Sequence, residues 1–62
     1  MTTKYSIHDS KTGNLIREIE ADDELIQEIE HVSSDNAEGH FSANRLEILE
    51  DLGDVSVYAI LH

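Results

Sequence analysis

From Asp22 to Val32 the chain reads DDELIQEIEHV, and its apolar positions recur at helical spacing. At about 100° per residue, Leu25, Ile26, Ile29 and Val32 fall within roughly one third of the circumference, the width of a core-facing stripe. Gln27 and His31 lie opposite that stripe, with Asp23 and Glu30 on one flank and Glu24 and Glu28 on the other. The outward surface of the predicted helix thus carries acids and no lysine or arginine. Asp22 is placed to cap the helix, its carboxylate accepting from a backbone N–H of the first turn. Asp23 and Glu24 stand beside the positive end of the helix dipole, where negative charge gains a few tenths to about 1 kcal/mol. Further along, Glu24 and Glu28 repel one another across one turn at a cost of a few tenths of a kcal/mol. A helix shaped by stability alone would offset that repulsion with lysines.

Alternation replaces the helical period on either side. Lys4–Asp9 sets Tyr5 and Ile7 on one face, and residues 14–20 set Leu15 and Ile19 on one face with Glu18 and Glu20 on the other. Asp9-Ser10-Lys11-Thr12-Gly13-Asn14 separates the two runs, and Gly13 suits the left-handed position of a three-residue hairpin loop with a bulge. Tyr5 opposite Ile19 keeps Tyr5, Ile7, Leu15 and Ile19 together and leaves Ile16 on the other face. After the helix, residues 33–39 are short and polar, with Gly39 as a stop.

Residues 42–52 read as a second helix in preference to a strand. Ser42 is the cap, Leu46, Ile48, Leu49 and Leu52 form the apolar face and Gly53 is the stop. The run VSVYAIL at 55–61 is the most strand-like in the chain and apolar on both faces, as a central strand is. The expectation is a single small α+β domain over residues 1–62: an N-terminal β-hairpin, the acidic helix, a short second helix or strand, and a C-terminal strand completing an antiparallel sheet. With helices on one side of that sheet, the other side would show Ile16, Tyr58 and Ile60, an apolar patch of the kind that marks an interface.

Composition sharpens the functional side of this picture. A chain of 62 residues hides only roughly 60% of the surface its unfolded form exposes, and without cysteine no disulfide or thiolate metal site supports it. Fourteen acids against Lys4, Lys11, Arg17 and Arg45 give a formal charge of −10, and nine of the fourteen lie between Arg17 and Arg45, where there is no base. Direct binding to nucleic acid is thereby disfavoured, because the cations that would displace counterions are missing. Anionic membrane surfaces are disfavoured on the same ground. No apolar run approaches the length of a spanning helix, and MTTKYSIHD lacks the apolar centre of a secretory signal, so the expected location is the cytoplasm.

No catalytic constellation emerges. Glu28 and His31 match the Glu-x-x-His spacing of di-iron bundles, but one outward-facing copy lacks the second motif and the two further glutamates such a site requires. His8, His40 and His62 are scattered, no serine sits in a nucleophile turn, and residues 35–39 lack the alternating oxygen ligands of a calcium loop. Neither an enzyme nor a metal or cofactor site is expected. In size and charge the chain resembles small phage-encoded inhibitors of the anti-CRISPR and DNA-mimic kind, a likeness of composition.

The reading that follows is a non-enzymatic protein that binds a basic surface on a partner protein through Asp23, Glu24, Gln27, Glu28, Glu30 and His31, as an inhibitor or regulator standing in for nucleic acid. Its rival is a homo-oligomeric structural or accessory protein, such as a homodimer. There the apolar sheet face at Ile16, Tyr58 and Ile60 is the interface and the acids only confer solubility.

Overall fold

The computed structural model describes residues 2–62. The hairpin consists of β1 (Thr3–Asp9) and β2 (Leu15–Ala21), and Tyr5 pairs with Ile19, the register predicted by the alternation. Its loop is longer than expected. Four residues, 10–13, lie inside the Asp9–Asn14 pair, where Asp9 N–H donates to Asn14 C=O at 3.0 Å. Gly13, at φ 75°, donates its N–H to Asp9 C=O at 2.8 Å. The Asp9 carboxylate accepts from the Lys11 N–H at 2.7 Å, as the side chain of a turn residue commonly does.

The ladder shifts between Ile7 and His8: Ile7 faces Arg17 and His8 faces Leu15, which leaves Ile16 as the extra residue of a bulge. That residue inverts the alternation beyond it. Leu15, predicted inside, is 52% exposed, while Ile16, predicted outside, packs against the core.

The acidic helix forms as α1 (Asp23–Ser34), and Asp22 Oδ1 accepts the Leu25 N–H at 2.9 Å, as the cap reading requires. It runs into Ser33 and Ser34, and the chain then turns through residues 35–38 to Gly39, at φ 79°. A short strand missed in the sequence, β3 (Phe41–Ser42), follows.

The predicted second helix takes a different form. Ala43–Arg45 and Glu47–Leu52 are two 3₁₀ turns separated by Leu46, whose backbone is extended, and Ser42 makes no side-chain cap bond. The physical reason is a spacing of three. Of Ala43, Leu46, Leu49 and Leu52, the last two eclipse one another within the second 3₁₀ turn, while the extended backbone at Leu46 brings it and Ala43 into the same core. The first three are fully buried and Leu52 packs beside them. Ile48, assigned to the apolar face of an α-helix, falls outside this spacing and is 41% exposed.

The last strand, β4 (Ser56–Leu61), lies inside the sheet, whose order is β2-β1-β4-β3 with all pairs antiparallel. The described residues therefore form an α+β fold of one α-helix and a four-stranded antiparallel sheet. Tyr5, Ile7, Ile19 and Val57 of the sheet, Ile29 and Val32 of α1, and Leu46 and Leu49 of the 3₁₀ segment bury into one cluster. Among the described residues no helix is long and apolar enough to cross a membrane.

Candidate functional site

Four of the six outward residues of α1 line one groove and two lie outside it. Glu24, Gln27, Glu28 and His31 form one wall of an open groove of about 590 Å³, with Val32 beside them, while Asp23 and Glu30 lie outside it on the exposed surface of the helix. The facing wall is Arg45 and Glu47. These two flank Leu46, which is fully buried, and anchoring Leu46 in the core leaves both neighbours exposed. The groove thus exists because the 3₁₀ segment stands alongside the helix, and its second wall belongs to a stretch that sequence reasoning had assigned to core packing alone. Glu47 is the functional candidate that reasoning missed. Nothing local to it signals the role.

The electrostatics of the groove are one-sided. Arg45, the one cation of its lining, is engaged by Asp35 just past the end of α1, and that guanidinium, first through its hydrogen bond and then through its charge, holds the Asp35 carboxyl below the ordinary value. Glu24, Glu28 and Glu47 enter no ion pair among the described residues. The other bases are occupied or remote. Lys4 pairs with Glu18 at 3.3 Å, Arg17 pairs with Asp51 at 2.8 Å, and Lys11 lies in the hairpin loop. Three carboxylates therefore border the groove unpaired among the described residues, and Arg45, the cation that shares it, is taken up by Asp35. Among the described residues, no three His, Asp or Glu side chains are grouped so as to hold a metal ion.

The uncovered face of the sheet is more polar than the sequence suggested. Ile16 is drawn to the core by the bulge and leaves the expected patch; Tyr58 is half-buried and Ile60 is 43% exposed. In place of Ile16 stand histidines. The His8 ring stacks on Tyr58 with centroids 5.3 Å apart and planes 12° apart, and His40 leans on Tyr58 at 5.5 Å. His8 Nδ1 lies 3.1 Å from the Gly13 carbonyl oxygen, and His62 is hydrogen-bonded to the buried Ser6 hydroxyl. His8, His40 and His62, scattered along the chain, are thus carried to one side by sheet register, which sequence alone left open. Because the rings of His8, Tyr58 and His40 cover one another, this row is a packed ladder and not a platform for a planar ligand.

No family model, curated protein or solved structure matches this chain.

Proposed function

We propose that the chain is a non-enzymatic interaction protein that docks on a basic surface of a partner protein, as an inhibitor or regulator occupying a site that otherwise holds nucleic acid. The observation carrying this reading is the groove between α1 and the 3₁₀ segment, bordered by Glu24, Glu28 and Glu47 while Arg45 is engaged with Asp35. A lysine or arginine from a partner entering that groove supplies the missing counter-charge, and its aliphatic stem has Val32 to lie against. The surrounding field of a chain at −10 steers such a partner in and raises the on-rate. Gln27 and His31 on the groove wall, and Asp23 and Glu30 exposed beyond it, complete the contact surface, and the two acids add to that field. The same reading places the chain in the cytoplasm, where proteins that handle nucleic acid are its targets.

The test is retention of heparin-binding proteins from a host lysate on the immobilised chain, at low and at high salt. The double variant Glu24→Lys/Glu28→Lys is expected to weaken retention roughly ten- to a hundredfold, with an unchanged circular dichroism spectrum. Retention by the folded variant equal to that of the native chain, or retention insensitive to salt, would falsify the reading.

A further inference from the structure

We propose that the outer edge of β4, from Tyr58 to Leu61, docks a second copy of this chain, strand to strand about a two-fold axis at Ile60. The strand is interior to the sheet over only part of its length. β3 pairs with Val57 and Ser56 and no further, and the chain before Phe41 turns away, Gly39 donating its N–H to Asn36 C=O at 2.9 Å. The direction of the backbone groups follows from their neighbours. Ser10 N–H donates to Ser56 C=O and His62 N–H to Lys4 C=O, so even-numbered residues of β4 address β1; Ala43 N–H donates to Val55 C=O, so odd-numbered residues address the opposite side. Past the end of β3, the odd-numbered residues of β4 are Ala59 and Leu61. Their two N–H and two C=O groups point outward with no strand of the described residues alongside.

This edge is unguarded, in contrast to the other. β2 carries a bulge and the charges of Arg17, Glu18 and Glu20, devices that discourage strand addition. Residues 55–61 contain no charge and no proline, and Ile60 and Leu61 are 43% and 60% exposed.

A second copy fits the edge by hydrogen-bond arithmetic. In an antiparallel pair centred on Ile60, Ala59 of each copy stands opposite Leu61 of the other as a hydrogen-bonded pair. All four outward groups of each copy are then satisfied at once. Ile60 meets its symmetry mate in the close, non-hydrogen-bonded position, and each Leu61 side chain covers the small Ala59 across from it. Such a contact is self-complementary, as two-fold association demands. Charge favours the same place: two copies at −10 repel, and residues 55–62 form the longest stretch free of Asp, Glu, Lys and Arg. The inference is independent of the acidic groove, and its salt dependence has the opposite sign. Self-association strengthens as salt screens the two like charges, whereas docking on a basic partner weakens.

Sedimentation equilibrium of the full chain over a wide concentration range, in low and high sodium chloride, tests the proposal. The expected result is a dimer at high concentration that dissociates on dilution and persists to lower concentration in high salt. Ile60→Lys, which places like charges at the axis, and Leu61→Pro, which deletes one outward N–H while sparing every β1–β4 bond, are each expected to abolish the dimer. Amide hydrogen exchange of the native chain provides a readout that needs no variant: exchange at Ala59 and Leu61 slows as concentration rises. A strict monomer at every concentration, or a dimer whose Ala59 and Leu61 amides exchange at a rate independent of concentration, overturns the proposal.

Discussion

Arg17 ties the hairpin to the 3₁₀ segment at the surface of the molecule. It sits opposite Ile7 on β2, yet its guanidinium reaches over to the second 3₁₀ turn, donating to both carboxylate oxygens of Asp51 at 3.1 and 2.8 Å and to Ile48 C=O at 3.1 Å. The fork-shaped donor set of arginine matches a carboxylate in this geometry, and lysine would not reproduce it. The hydrogen bond from Arg17 is the main cause holding the Asp51 carboxyl below its ordinary value of 3.8. The unfolded chain protonates Asp51 near that ordinary value and the folded chain only below it. The contribution of the pair is therefore complete above the ordinary carboxylate range and is lost as pH falls through the depressed folded-state value. Urea unfolding of the native chain and of Asp51→Asn should show a stability gap that is constant between about pH 7 and 5 and narrows as pH falls below the ordinary carboxylate range. A gap independent of pH would mean that the charge of Asp51 plays no part.

At the scale of elements, the segment 43–52 shows how one spacing overrides another. Its residues have adequate helical propensity, and an α-helix would have grouped Leu46, Ile48, Leu49 and Leu52. The residues that bury instead recur every three positions from Ala43 through Leu49, because two short 3₁₀ turns joined by an extended Leu46 return an apolar side chain to the core at that interval. This assignment separates two adjacent apolar positions. Leu49→Ala should cost about 2–5 kcal/mol, a large part of the stability of so short a chain, while Ile48→Ala should cost less than about 1 kcal/mol. Urea denaturation of the two variants measures the contrast directly, and equal costs would restore the α-helical reading. The acidic helix, by comparison, obeys its own period throughout, since its Asp22 cap and its buried stripe agree.

At the scale of the molecule, the dominant quantity is charge. Among the described residues three exposed or partly exposed ion pairs of lysine or arginine are set against a net charge of −10 on a chain whose Cα radius of gyration is 10.4 Å, so many acids lie within a Debye length of one another at low salt. Exposed pairs contribute little individually, whereas the repulsion is summed over all the acids. Thermal unfolding followed by circular dichroism should therefore show a midpoint that rises with sodium chloride between about 0.02 and 0.5 M. Measuring the Ile60→Lys chain in parallel separates this intramolecular effect from self-association. A midpoint that falls with salt would mean that the ion pairs outweigh the repulsion.

What the sequence determined by itself is whatever rests on local periodicity and local hydrogen bonding. The span and cap of α1, its acidic outward face, the Tyr5–Ile19 register and the strand at the C-terminus follow from the spacing of apolar residues and from the chemistry of Asp22 and Gly13. Tertiary structure decided what depends on contacts between distant segments. The bulge exchanged Leu15 for Ile16 because a hairpin tolerates an unpaired residue better than a buried cavity, and no single strand records that trade. A two-residue strand such as β3 has no period to detect. The groove of Glu24, Glu28 and Glu47, and the open edge of β4, arise only where separate elements are brought side by side or stop short of one another. Periodicity reports which face of an element is buried; the neighbour it is buried against, and hence the shape left outside, is set by packing of the whole chain.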